Sequence, residues 1–281
     1  MINNEIIKVK NLNINFNKHI AIDNLSISFN KGETVLITGR NGSGKTTFLK
    51  CLGGVLFPDS GLIQFGNKVS KKKIGIISDK MSLLEDYTLE QGIAFHSEIF
   101  GINKFNFSLI NQLNLKYERK IKTLSAGERA IYHLSLIISQ KPELLLIDEI
   151  IHMIDAYIRE LFLEALIELI NDVNTTIIMV NHTFSETGRI PERILIMEQG
   201  RFILDEKREN LNKKIKKIIT NKEIEEDIPV LFKKESSIQK EFYIYPFKEE
   251  FNSKYKYDFQ DISLTEIIKS FIGGCYAKER V

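Results

Sequence analysis

Apolar and polar residues alternate in three short runs near the start of the chain, Ile6 to Val9, Leu12 to Phe16 and Leu25 to Phe29. Period-two alternation marks strands with one buried face. Asn17-Lys18 and Asn30-Lys31-Gly32 supply turns, so antiparallel strands are expected here. From Thr34 to Thr38 the pattern becomes an apolar strand, Val35-Leu36-Ile37, that runs into the glycine-rich stretch Gly39-Arg40-Asn41-Gly42-Ser43-Gly44 and then into a helix from Lys45. Further strands are expected at Lys71 to Ser78, at Glu143 to Ile147 and at Thr175 to Val180, with a closing pair at Arg193 to Glu198 and Gly200 to Leu204. Between them the period becomes helical: Thr88 to Leu115, with a stop at Gly101, then Ile131 to Ser139 and Ala156 to Ile170. Strands alternating with helices predict an α/β fold around a parallel sheet. The antiparallel strands form a subdomain to one side, and a small helical subdomain covers about residues 80–140.

Composition narrows the class. The chain has 281 residues, 43% of them hydrophobic, enough for one large domain or a main domain with an appendage. A formal net charge of +2 argues against a dominant nucleic-acid field. Cys51 and Cys275 imply no disulfide framework, which fits a reducing compartment. No apolar run approaches the roughly 20 residues that span a bilayer, so the expectation is a soluble chain that does not cross a membrane by itself. Residues 206–281 differ in character: the run Lys213-Lys214-Ile215-Lys216-Lys217 sits among many acids and reads as a solvated helix face, and an aromatic stretch follows at Phe242 to Phe247.

The stretch 39–46 has the spacing of a phosphate-binding loop. Gly39, Gly42 and Gly44 allow close backbone approach, so N–H groups and a helix N-terminus converge on a polyphosphate. Asn41, Ser43 and Thr47 complete the expected ATP-binding set. Lys45 would reach the β- and γ-phosphates, and Thr46 would offer its hydroxyl to Mg²⁺. The buried strand ending in Asp148-Glu149 brings two acids to the carboxyl edge of the sheet, beside that loop. Asp148 fits a magnesium ligand and Glu149 a base acting on water. His182, at the end of the next strand, could bond a γ-phosphate or the attacking water; alone, a histidine there is more often structural. Ser125-Ala126-Gly127-Glu128 opens a helix in the manner of a second anion site, although taken alone a simple cap explains it. Phe16 ends a hairpin strand, and spacing leaves adenine stacking and a core or edge role equally open.

These motifs together resemble the nucleotide-binding subunit of an ATP-binding cassette (ABC) transporter, over about residues 5–205. Residues 39–46 match its Walker A loop, Leu124 to Glu128 its signature, Leu144 to Asp148 its Walker B strand, Glu149 its catalytic glutamate, Asp155 its D-loop and His182 its switch histidine. Phe16 takes the position of its adenine-stacking aromatic. The resemblance implies the P-loop NTPase fold, with an ABC ATPase domain over 1–205 and a small C-terminal accessory region over 206–281. It implies ATP and Mg²⁺ as ligands and Glu149, His182 and Lys45 as the catalytic group. It also implies a second cassette, identical or different, whose nucleotide Ser125, Ala126, Gly127 and Glu128 would meet head to tail. A multi-span membrane permease subunit would complete the machine at the cytoplasmic face of the membrane. The terminal stretch Asp261 to Phe271 resembles a helix found in exporters, so export is the expected direction.

Departures from the family pattern are specific. Asp79 stands where a glutamine that contacts Mg²⁺ is usual, Ala126 and Glu128 where glycine and glutamine are commoner, and Ile150 where a proline usually follows the glutamate. Two alternatives follow: an ABC ATPase acting on ribosomes or DNA, and a regulatory cassette that does not hydrolyse. The first fits poorly, because the stretch between Lys45 and Asp148 has no room for a coiled-coil or zinc insertion.

Overall fold

The computed structural model describes residues 4–17, 19–66, 70–78, 83–151, 154–173, 175–181, 187 and 190–278. Strands β1 (Glu5–Phe16), β2 (His19–Asn30) and β4 (Ser60–Phe65) form an antiparallel sheet in the order β2-β1-β4. The first two alternating runs of the sequence are one strand. Asn11 at φ 47° and a register break between Val9 and Leu12 bulge β1, and the bulge interrupts the alternation without ending the pairing. Strand β4 carries mostly exposed or half-buried residues, so it leaves little alternation to read.

The central sheet has the order β5-β6-β7-β3-β8-β9, built from β3 (Thr34–Gly39), β5 (Ile74–Ser78), β6 (Leu144–Asp148), β7 (Thr176–Val180), β8 (Arg193–Glu198) and β9 (Arg201–Lys207). Five strands are parallel and β9 returns antiparallel to β8. Strands β3, β6, β7 and the middle of β8 are buried on both faces, which is why they read as unbroken apolar runs, whereas β5 is alternately buried and β9 is exposed at every second residue. On one face Val35, Ile37, Leu146, Ile178 and Leu195 pack with α1 (Lys45–Leu52) and the antiparallel sheet. On the other, Leu36, Leu145, Ile147, Ile177 and Ile194 pack with α4 (Ala126–Ser139) and α5 (Ala156–Val173). Each fully buried aliphatic or aromatic side chain here contributes about 2–3 kcal/mol of transfer free energy.

Helices α2 (Leu89–Phe100) and α3 (Ser108–Gln112) join α4 around a separate apolar cluster of Leu89, Ile110, Ile121, Tyr132 and Leu136. Thr88 and Gln91 cap α2 reciprocally, and Gly101 closes it in the left-handed conformation, at the stop the sequence marks.

After α6 (Arg208–Lys214) comes a third sheet of β10 (Lys216–Thr220), β11 (Val230–Glu235) and β12 (Lys240–Ile244), then α7 (Phe251–Lys254) and α8 (Leu264–Lys278). The run Lys213 to Lys217 is not one solvated helix face: the helix ends at Lys214, Ile215 is buried, and Lys216 and Lys217 lie on a strand, paired with Asp261 and Glu266. Ile262, Ile267, Ile268 and Phe271 belong to the same apolar cluster as α4 and α5, so the tail shares the core of the central sheet. No helix among the described residues is long and apolar enough to cross a membrane.

Candidate functional site

Strand β3 enters its loop at Gly39, whose φ of 146° and proximity to the Met197 carbonyl oxygen, 2.1 Å from where a Cβ would stand, exclude any other residue. Gly44 begins α1 with no side-chain cap, so the N–H groups of the first turn are left for an external acceptor. Lys45 is only 4% exposed and donates through Nζ to the carbonyls of Arg40 at 2.7 Å and Gly39 at 3.1 Å. Burial pushes its ammonium below the ordinary lysine range, while the charges of Glu149, Asp148 and Glu198 oppose that shift. The buried Ser43 hydroxyl has no hydrogen-bond partner among the described residues.

Beside the loop lies a cleft of about 340 Å³, and Phe16, Asn41, Gly42, Lys45, Thr46 and Glu149 are among the residues that line it. Gly44, Thr47, His19 and Ala21 complete its wall. Phe16 is half exposed on this wall, so of its two sequence readings the structure excludes burial in a core. Thr46 Oγ1 donates to Asp148 Oδ1 at 3.1 Å. Two hard oxygens side by side at the mouth of a phosphate loop suit Mg²⁺. Among the described residues there is no group of three or more metal-ligating side chains, so any ion here would depend on water and the polyphosphate for its other ligands. Glu149 follows β6 with φ 49°, an uncommon conformation for a non-glycine residue that costs about 1 kcal/mol or more. That turn brings its side chain to the cleft wall. His182 and Asp79 lie outside the described residues.

The signature residues stand elsewhere. Ser125 caps α4: its hydroxyl accepts from the Glu128 N–H at 3.1 Å and Glu128 Oε2 accepts from the Ser125 N–H at 2.8 Å. Arg119 holds Glu128 with two bonds, of 2.7 and 3.1 Å, and this pairing keeps the carboxyl below its usual range. Glutamate in place of the commoner glutamine therefore has a local cause. Ala126 starts the helix, and Gly127 is buried where a Cβ would meet Ile158 of α5 at 3.1 Å. None of these four residues lines the cleft of the phosphate loop.

A family model described as "ABC transporter" matches residues 22–152. An energy-coupling factor transporter ATP-binding protein of Clostridium perfringens is 31% identical over 227 residues, covering 72% of this chain and 79% of its own length. The chain belongs to the ABC ATP-binding family. A sulfate/thiosulfate import ATP-binding protein of Pseudomonas syringae pv. tomato is 29% identical over 211 residues; the match takes in 69% of this chain and 65% of that protein, so this cassette corresponds to less than two thirds of that relative. Among solved structures, an ATP-binding subunit of an ABC transporter superposes with a TM-score of 0.67 at 20% identity, over 74% of this chain and 92% of that one. That likeness extends to the fold, a P-loop NTPase core with an antiparallel β-sheet and helices.

Sequence reasoning missed the support beneath the loop. Arg40 Nη1 stands 3.3 Å from Glu198 Oε1, and the Gly200 N–H donates to the Ser43 carbonyl at 2.9 Å. The β8–β9 pair was legible, but its place under the loop depends on the strand order, which no local pattern encodes.

Proposed function

We propose that this cassette binds ATP with Mg²⁺, hydrolyses it as one half of a head-to-tail pair of cassettes, and drives a separate membrane subunit. The observation that carries the reading is the single cleft shared by the phosphate loop, Phe16 and Glu149. Lys45 would give up its two loop carbonyls for phosphate oxygens, and the open N–H groups at the start of α1 would take the same anion. Phe16 offers an exposed ring to the adenine. Thr46 and Asp148 would hold Mg²⁺, which when bound offsets the charge on the phosphates. Glu149 would accept the proton of the attacking water, and His182 would help to orient that water.

The separation of the signature from the cleft supports the paired reading. Ser125 and Gly127 open a capped helix whose first turn can serve an anion, yet within one chain they do not reach the loop that needs them. In such an assembly 1–205 would form the ATPase unit with its helical part near 80–140, and 206–281 the accessory region. The peripheral site of action would be the cytoplasmic face of a membrane. Against export, the terminal helix packs into the core of this chain, and the sulfate/thiosulfate relative is named for import.

Glu149→Gln tests the scheme. The variant should keep ATP affinity, lose turnover by at least about 100-fold, and accumulate as a dimer with ATP in gel filtration. Wild-type hydrolysis by Glu149→Gln would remove Glu149 as the base. A wild type that binds ATP without hydrolysing it, alone or with its membrane partner, would favour the regulatory reading.

A further inference from the structure

The turn between β8 and β9 touches the phosphate loop at three successive points. Strand β8 runs beside β3 with Met197 opposite Gly39, so tightly that the Met197 carbonyl leaves no room for a Cβ on Gly39. Glu198 Oε1 then meets Arg40 Nη1 at 3.3 Å, and the Gly200 N–H meets the Ser43 carbonyl at 2.9 Å. The turn is itself fixed. Its two-residue loop, Gln199 and Gly200 with φ of 46° and 76°, suits the twist of a tight hairpin. From β2, the Asp23 N–H donates to the Gly200 carbonyl at 3.1 Å, and the Asp23 carboxylate pairs with Arg201 at 2.7 Å. The loop therefore rests on a floor anchored to two sheets.

Glu198 stands out within that floor. Its side chain is 11% exposed, and its Oε2 is buried without a hydrogen-bond partner among the described residues. A buried carboxylate oxygen with no donor is costly, so a neutral residue would serve better if packing were the only requirement. What the carboxylate does meet is positive. It holds Arg40 directly, and it is one of three acids whose charge favours the ammonium of Lys45. Arg40 and Lys45 are joined in turn by the 2.7 Å bond from Lys45 Nζ to the Arg40 carbonyl.

We propose that Glu198 is a positioning residue of the nucleotide site: it fixes Arg40, and through the Arg40 carbonyl it sets where the Lys45 ammonium stands before a nucleotide arrives. The inference rests on the ATP-binding reading above and adds a residue to it. Glu198 does not line the cleft of Phe16 and Glu149; with Arg40 and Ser43 it lines an adjoining cleft of about 520 Å³ against the same loop. Its loss should therefore weaken nucleotide capture and leave the water-activating side of the site unchanged.

The test is titration calorimetry of the full chain with a non-hydrolysable ATP analogue and Mg²⁺, on wild type, Glu198→Ala, Arg40→Ala and the double variant, with Glu198→Gln as a substitution that keeps shape. Each single alanine variant should raise the dissociation constant by about fivefold or more, and the double variant should be no worse than the weaker single one, because the two side chains act as one unit. In turnover assays the loss should fall on KM, with kcat within about twofold of wild type. A wild type that fails to bind the analogue overturns the ATP-binding reading. A wild type that binds, with Glu198→Ala and Glu198→Gln within about twofold of it, overturns the role of Glu198 alone. Single-variant effects that multiply in the double variant, or a fall in kcat at unchanged affinity, overturn it equally.

Discussion

Replacing Lys45 by methionine separates what the residue does for the nucleotide from what it does for the fold. Methionine keeps the stem and removes the ammonium. Without nucleotide, Nζ makes two bonds to carbonyls, at 2.7 and 3.1 Å, in a position that is 4% exposed. Hydrogen bonds from a charged donor are worth about 1.5–3 kcal/mol each, and burying an ammonium costs several kcal/mol. Those opposing contributions nearly cancel, so the unliganded variant should unfold within about 1–2 kcal/mol of wild type. With nucleotide the balance changes, because the ammonium would face phosphate oxygens that bring their own charge. Losing one such bond, about 1.5–3 kcal/mol, raises the dissociation constant roughly 10- to 150-fold. Thermal unfolding with ATP at 100 times the wild-type dissociation constant reads both effects. Wild type gains about 2.7 kcal/mol, while the variant gains only about 0.3–1.3 kcal/mol and at most half the wild-type temperature shift. An ATP-induced shift equal to that of wild type would refute the assignment of Lys45 to the phosphates. An unliganded variant destabilised by more than about 4 kcal/mol would refute the near cancellation.

Two further predictions concern the helical part. Tyr132 is fully buried with its hydroxyl donating to the Leu89 carbonyl at 3.0 Å, so Tyr132→Phe should cost about 1–2 kcal/mol and lower the unfolding temperature by about 2–3 °C; an unchanged temperature would show that the bond contributes nothing net. His133 on α4 is pushed down to about 4 by burial and by neighbouring His96 on α2, so between that value and the ordinary histidine value the unfolded chain binds the extra proton. Its contribution, at most about 3 kcal/mol, is present at neutral pH and is lost as pH falls from about 6.5 towards 4. Urea unfolding of wild type and His133→Gln at pH 7 and pH 4.5 checks the sign: equal pH slopes for the two proteins would refute it.

The sequence carried the parallel sheet well because most of its strands are buried on both faces and leave an unbroken apolar signal. Val35-Leu36-Ile37 and Leu144-Leu145-Leu146-Ile147 need no partner information to be recognised. Ser125 was legible for a similar reason, since a capping box is written in residues three positions apart. The bulge at Asn11 was not, because a positive φ at an asparagine looks from sequence like the end of one strand and the start of another. Strand β4 was missed because an edge strand with half-exposed residues has almost no periodic content. The tail was misread at Lys216 and Lys217, whose partners Asp261 and Glu266 lie over forty positions away. Of the residues that line the cleft, those from Asn41 to Thr47 and Glu149 sit on motifs of fixed spacing, whereas Phe16, His19 and Ala21 do not. Those beneath it, Arg40 and Glu198, meet only through the order of the strands.

One arrangement links the two halves of the proposed site within a single chain. Glu149 follows β6, and the apolar residues Ile150, Ile151 and Ile154 after it are buried in the core beside α4 and α5. Asp155 then caps the start of α5, its Oδ1 accepting from the Ile158 N–H at 3.0 Å. Ile158 is the side chain that fills the space at Gly127, where even a methyl group would stand 3.1 Å away. The segment that carries the proposed base therefore leads, through a cap and one packing contact, to the helix start that would serve the partner's nucleotide. Ile158 thus lies close enough to Gly127 that a movement of the start of α5 would be felt at the helix start of the signature. In a head-to-tail pair the consequence is reciprocal. In the proposed pair, a displacement of the Glu149 segment at one nucleotide would be passed to the Ser125–Gly127 turn at the other, so the two sites would be coupled by packing rather than by a shared ligand.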